Sequence, residues 1–209
     1  MEENTSYLTI SAYLPELSDR VNVYQKMFRY YFRSYWSHRK TSIHHVFANI
    51  TFVVVRVTGS PEKCNIIAQE LKEEIGLQLK KWTKPLKVTF KGVQTTRAGK
   101  HYACLEDCYK EDGETVRYSL LKISNVFWHA ADKIALKYSD CVSLDRTAFT
   151  PCVTLFKKLW PSSLYKRETL PDFLKKFILG EANVKEVALA INAKTRVWSL
   201  RVYEEEQLG

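Results

Sequence analysis

The sequence predicts an α+β fold of two pseudo-symmetric lobes with antiparallel strands. Three observations lead there. The stretches Asn49-Ile50-Thr51-Phe52 and Cys152-Val153-Thr154-Leu155 share one form in the two halves of the chain, a residue X followed by apolar, Thr, apolar. Each follows a helix-forming segment, so the halves read as rough copies. The remaining short strands are joined by tight turns, which implies antiparallel pairing rather than parallel crossovers. No Gly-, Pro- or Ser-rich linker separates the halves, so residues 1–209 are expected to form a single domain of two lobes.

Tyr7 to Tyr13 alternates apolar and polar and predicts a strand that Pro15 ends. Ser18 is a candidate N-cap for a helix whose stripe carries Val21, Tyr24, Phe28, Tyr31, Phe32 and Tyr35. Residues 36–45 read as a polar loop. The β-branched run from Phe47 to Val57 predicts the first marked strand. Thr58-Gly59 turns into a helix capped by Ser60 with Pro61 at its first position, burying Cys64, Ile67, Ala68, Leu71 and Ile75. Leu86 to Val93 and His101 to Glu106 predict a hairpin. Asp112-Gly113 marks a turn. A long amphipathic helix from about Thr115 to Tyr138 should face Leu120, Ile123, Phe127, Ala130, Ala131 and Ile134 inward, with His129 as a structural histidine beside them. The second marked strand is expected over 148–157 and a short helix over 170–179. A final hairpin, 185–191 with 195–203, turns around Asn192-Ala193-Lys194.

The totals narrow the function classes. Of 209 residues, 45% are hydrophobic, with 7 Gly and 6 Pro, which suits a packed core and not a disordered chain. The net charge of +9 attracts phosphate-rich ligands and acidic protein surfaces alike. Met1-Glu2-Glu3-Asn4 is polar and acidic with no apolar run behind it, and no stretch is long enough to span a bilayer, so a cytoplasmic or nuclear protein is expected. The five cysteines are irregularly spaced, as in reduced intracellular proteins. His101, Cys104 and Cys108 lack a paired Cys-x-x-Cys, so they read as scattered groups and no metal or cofactor is expected.

Charge is also patterned. Between Arg20 and Ser60 there is no Asp or Glu, while Lys26, Arg29, Arg33, Arg39 and Lys40 interleave with Tyr30, Tyr35 and Trp36. Basic residues among aromatics can track a nucleic-acid backbone and stack its bases. The same pattern also fits core aromatics beneath a solvated charged face.

In this order and spacing, the chain resembles the 2H phosphoesterases, the LigT-like superfamily, and within it the central nucleotide-binding domain of A-kinase anchoring proteins. Asn49-Ile50-Thr51 and Cys152-Val153-Thr154 match the family's two His-x-Thr/Ser motifs. The run 145–151, Asp-Arg-Thr-Ala-Phe-Thr-Pro, matches the context of its second motif. Leu86 to Val93 resembles a strand with an apolar-Phe-x-Gly signature, and Pro171 to Phe177 resembles a short helix after the second motif. The resemblance implies two pseudo-symmetric antiparallel sheets around a central cleft, with helices outside and the motif strands flanking a scissile phosphate. It also implies metal-free catalysis by a histidine base and a histidine acid, and phosphate binding by the Thr or Ser hydroxyls.

This chain departs from that pattern at both histidines. Asn49 has no proton to exchange near neutral pH, and a cysteine buried in a strand, as Cys152 would be, is usually inert. General acid and base each contribute roughly a hundred- to ten-thousand-fold in rate. The expectation is therefore a degenerate, catalytically inactive domain that binds RNA, a nucleotide or a protein partner, with Thr51 and Thr154 as the retained phosphate-binding residues. The alternative is a residual or altered phosphodiesterase with Cys152 as proton donor and a histidine from elsewhere as base. His44 and His45 lie roughly 13 Å or more from position 49 along an extended chain, too far to substitute. Thr51 and Thr154 can also be read as ordinary strand residues in a filled groove. The chain ends in Glu204-Glu205-Glu206-Gln207-Leu208-Gly209 with no amphipathic helix, so kinase anchoring is not expected.

Overall fold

The computed structural model describes residues 4–32, 48–78, 85–96, 100–110, 113–145, 149–156, 170–192 and 195–201. Nine strands form two antiparallel sheets among these residues. One holds five strands: β5 (Val142–Leu144), β2 (Asn49–Thr58), β1 (Thr5–Tyr13), β8 (Glu186–Ile191) and β9 (Thr195–Arg201), in that spatial order. The other holds β6 (Cys152–Phe156), β4 (His101–Glu106), β3 (Leu86–Thr95) and β7 (Ile178–Val184). The helices are α1 (Ser18–Tyr31), α2 (Pro61–Gln78), α3 (Val116–Lys137) and the single turn α4 (Asp172–Lys175). The expected α+β architecture of two antiparallel sheets is present, and each marked strand lies in a different sheet.

The local signals act much as the sequence suggests. Ser60 Oγ accepts from the Lys63 amide at 3.2 Å, capping α2. Its five predicted core residues are all buried. Thr115 caps α3, its hydroxyl accepting from the Tyr118 amide at 3.2 Å. Gly92 has φ +77° at an irregularity in the β3–β4 pairing, a conformation open to glycine and strained for other residues, and its amide reaches the Phe177 carbonyl at 2.9 Å.

Several expectations change. Ser18 does not cap α1: the N-cap position is Leu17, after a 3-10 turn over Pro15–Leu17, and Ser18 Oγ instead accepts from the Ala48 amide at 3.3 Å. That bond, with Leu14 N to Ala48 O at 2.9 Å, ties the start of β2 to the start of α1. Tyr31 belongs outside the α1 core at 52% exposure, while Gln25 is buried. His129 is exposed and not structural, because α3 turns it away from the sheet. The short helix ends at Lys175. Residues 178–184 are strand β7 instead, paired along β3, since Leu179, Ala182 and Val184 find their burial against that sheet. The second marked strand is shorter than expected, Cys152–Phe156, and β5 was not anticipated. Tyr35, Trp36 and the loop 36–45 lie outside the described residues, as do Arg33, Arg39, Lys40, His44 and His45.

The buried side chains form one cluster reaching from Leu8 and Ile10 of the five-stranded sheet to Val88, Phe90 and Val153 of the other. α1 covers one face of the four-stranded sheet. There Tyr24 and Phe28 pack on Phe156, with ring centroids 6.1 and 4.9 Å apart, and the Gln25 amide donates to the Leu155 carbonyl at 2.9 Å. α3 lies along β2, where Phe127 meets Phe52 at 5.2 Å, and ion-pairs with α2 through Lys137–Glu70 (2.7 Å) and Lys133–Glu74.

Candidate functional site

The pairing of β6 with β4 decides which side chains face the cleft. Tyr102 lies opposite Thr154, Ala103 opposite Val153, and Cys104 opposite Cys152. Side chains alternate along a strand. Ala103, Val153 and Leu155 are therefore buried toward α1, and Tyr102, Cys104, Cys152 and Thr154, all half-buried, share the other face. On β2, Ile50 and Phe52 are buried and Thr51 projects outward. Thr51 lies across from Ser11, whose buried hydroxyl approaches Thr51 Oγ1 at 3.4 Å, a long hydrogen bond from the neighbouring strand. The β1–β2 register slips between Ile10 and Ser11, so Phe52 and Val53 are both buried while Thr51 keeps its outward aim.

A cavity of about 420 Å³ lies where these faces meet. Thr51, Cys152 and Thr154 all line it, so two strands from different sheets bring the three together. Asn49, half-buried at the start of β2, is not among the lining residues. The volume falls within the range of small-molecule sites, roughly 300–1,000 Å³.

Much of the lining lies outside the two Thr-bearing strands. Lys100 supplies a cation and Asp145 a carboxylate, both exposed. Thr96, Tyr102 and Thr150 add hydroxyls. Phe52 and Phe149 stack at 5.5 Å with 21° between their planes, and with Trp128 of α3 they form an aromatic side. Asp145, Phe149 and Thr150 do fall in the 145–151 run that carried the resemblance. Lys100 and Trp128 carry no comparable signal, because only the fold brings them there.

The basic residues of α1 lie elsewhere. Lys26 is exposed and Arg29 half-buried on the helix that covers the opposite face of the four-stranded sheet, and neither lines the cavity.

Of the groups that line the cavity, Cys152 and His101 are shifted. Burial, reinforced by the neighbouring Cys104, pushes the Cys152 thiol up to about 11, so it stays protonated at neutral pH. His101 borders the cavity, but its ring packs between Tyr24, Phe28 and Phe156, and its Nδ1 shares a 2.9 Å hydrogen bond with the Tyr24 hydroxyl. Burial lowers it to about 4, leaving the imidazole neutral. His129 does not line the cavity. Among the described residues no cluster of three metal-ligating side chains occurs, and no helix is long and apolar enough to cross a membrane.

Two antiparallel sheets, each lending one Thr-bearing strand to a shared cleft, make up a LigT-like fold. It matches Escherichia coli LigT complexed with NADP+ at TM-score 0.55 and 13% identity, over 96% of this chain and 100% of that one. The ATP complex of E. coli LigT matches at 0.55 and 12%, and a crystal structure described as a phosphoesterase at 0.55 and 13%, each with the same coverage. No protein-family model matches the sequence, and no curated protein matches it.

Proposed function

We propose that the chain is a nucleotide-binding module on a 2H phosphoesterase fold that has lost the acid–base pair. The observation that carries this is the shared cleft, which Thr51 and Thr154 both line and where the side chain at the second motif position is a protonated thiol. The hydroxyls and Lys100 suit a phosphate. The Phe52–Phe149 stack and Trp128 suit a base, which favours a nucleotide over bare phosphate. That structures of the same fold are complexed with NADP+ and ATP supports the ligand class. The sequence runs 145–151 and 171–177 support a place beside the nucleotide-binding domain of A-kinase anchoring proteins. His101, neutral and held by Tyr24, is poorly placed to serve as the missing base.

Calorimetric titration with ATP and with inorganic phosphate tests this, alongside a turnover assay on cyclic phosphates and 2′,5′-oligoadenylates. The expected result is ATP binding stronger than phosphate binding, weakened about tenfold by each of Thr51→Val and Thr154→Val, with no turnover. Affinity unchanged in both variants overturns the cleft as the binding site. Turnover abolished by Thr154→Val or Cys152→Ser overturns the inactive reading in favour of a residual phosphodiesterase.

A further inference from the structure

Cys104 and Cys152 are direct partners across β4 and β6, on the same face of the sheet. Opposed residues in an antiparallel pair have Cα atoms about 4.5 or 5.5 Å apart. Both spacings fall within the roughly 4.4–6.8 Å span of a disulfide. Both thiols are half-buried and unbridged, and Cys152 lines the cavity, where a small reagent can reach it. β6 is an edge strand, bonded to β4 alone within its sheet, so it has room to adjust. The other cysteines lack such a partner in the strand register: Cys64 is buried in α2, Cys108 is exposed beyond the end of β4, and Cys141 precedes β5.

We propose that Cys104 and Cys152 are a two-thiol oxidation site in the cleft wall, closed to a cross-strand disulfide by glutathione disulfide. In the first step the thiolate of one cysteine attacks a glutathione sulfur, forming a mixed disulfide and releasing one glutathione thiolate. In the second step the facing cysteine loses its proton and attacks the protein sulfur, expelling the second glutathione. Two thiols are oxidised and one glutathione disulfide is reduced to two glutathione molecules. The second step is intramolecular between groups already opposed, which favours closure over a lasting mixed disulfide. Burial raises both thiols, that of Cys104 partly offset by the Gln94 backbone and the Arg117 charge, so closure is slow at neutral pH and accelerates with the thiolate fraction. The bridge ties the edge strand that carries Thr154 to β4.

The test is oxidation of the full chain by glutathione disulfide at several pH values, followed by peptide mapping under non-reducing conditions. It is run also on Cys108→Ser, so that the exposed thiol does not compete. The expected product in both proteins is a Cys104–Cys152 peptide two hydrogens lighter than its parts, restored by dithiothreitol. Its rate should rise about tenfold from pH 7 to pH 8. Cys104→Ser should lose the bridge and instead carry glutathione on Cys152, with circular dichroism confirming that the variant is folded. Bridging of either cysteine to Cys108 overturns the proposal, as does persistence of both thiols in Cys108→Ser. The readout is mass alone and needs no ligand, so it stands or falls separately from the nucleotide reading.

Discussion

His101 is 2% exposed beneath α1, and burial brings its pKa from the ordinary 6.5 to about 4. Between those values the unfolded chain binds a proton at this ring that the folded chain does not, so stability is lost as pH falls below the unfolded value. The shift corresponds to about 3 kcal/mol once both states are protonated, of which about 2 kcal/mol is already gone at pH 5. With a urea m-value of about 2 kcal/mol/M, the midpoint drops by about 1 M from this residue between pH 7 and pH 5. His101→Phe fills the site without a titrating group. It should be weaker at pH 7, since the hydrogen bond between the Tyr24 hydroxyl and position 101 is lost, but its midpoint should fall less on acidification. Parallel pH dependences in wild type and His101→Phe refute the reasoning, as does an imidazole NMR titration centred near 6.5.

Other outcomes follow from single contacts. Gln25→Met keeps side-chain volume but removes the donor to the Leu155 carbonyl, and should cost about 1–3 kcal/mol in chemical denaturation. Unchanged stability would show that β6 does not depend on this bond. Thr115→Ala should cost about 1 kcal/mol through loss of the α3 cap, read from the shift in thermal midpoint. Lys100→Glu reverses the cleft's lysine charge and should weaken ATP binding and flatten its salt dependence, measured by titration at two ionic strengths. If the ligand is RNA held by α1, Lys26→Ala with Arg29→Ala should reduce salt-dependent RNA affinity, and Lys100→Glu should leave it nearly unchanged.

Periodicity and turn chemistry were enough to read β1, β2, α2, the β3–β4 hairpin, α3 and the β8–β9 hairpin. In these segments the apolar pattern, the cap and the turn residue agree. They failed at 178–184, where Ile178-Leu179-Gly180 continues a plausible helix. The pairing of this segment along β3 is a long-range choice that no local pattern records. The burial of Gln25 has a similar origin. A glutamine on a helix is ordinarily solvated, and it is buried here because an edge-strand carbonyl needs a donor. His129 and Tyr31 were misread because they border an apolar stripe, and a stripe's width depends on what packs against it.

That Thr51 and Thr154 sit at matching places in two apolar strands, and that neither motif carries a histidine, is legible in the order of residues. Residue identity and alternation suffice for that. It takes the folded chain to put the two hydroxyls in one cavity, to leave Asn49 outside its lining, and to bring Lys100, Trp128 and Phe149 beside them. Folding also sets Cys152 opposite Cys104. A strand's own sequence sets which side chains share a face. What that face meets depends on sheet order and register, which are set by burial summed over the whole chain.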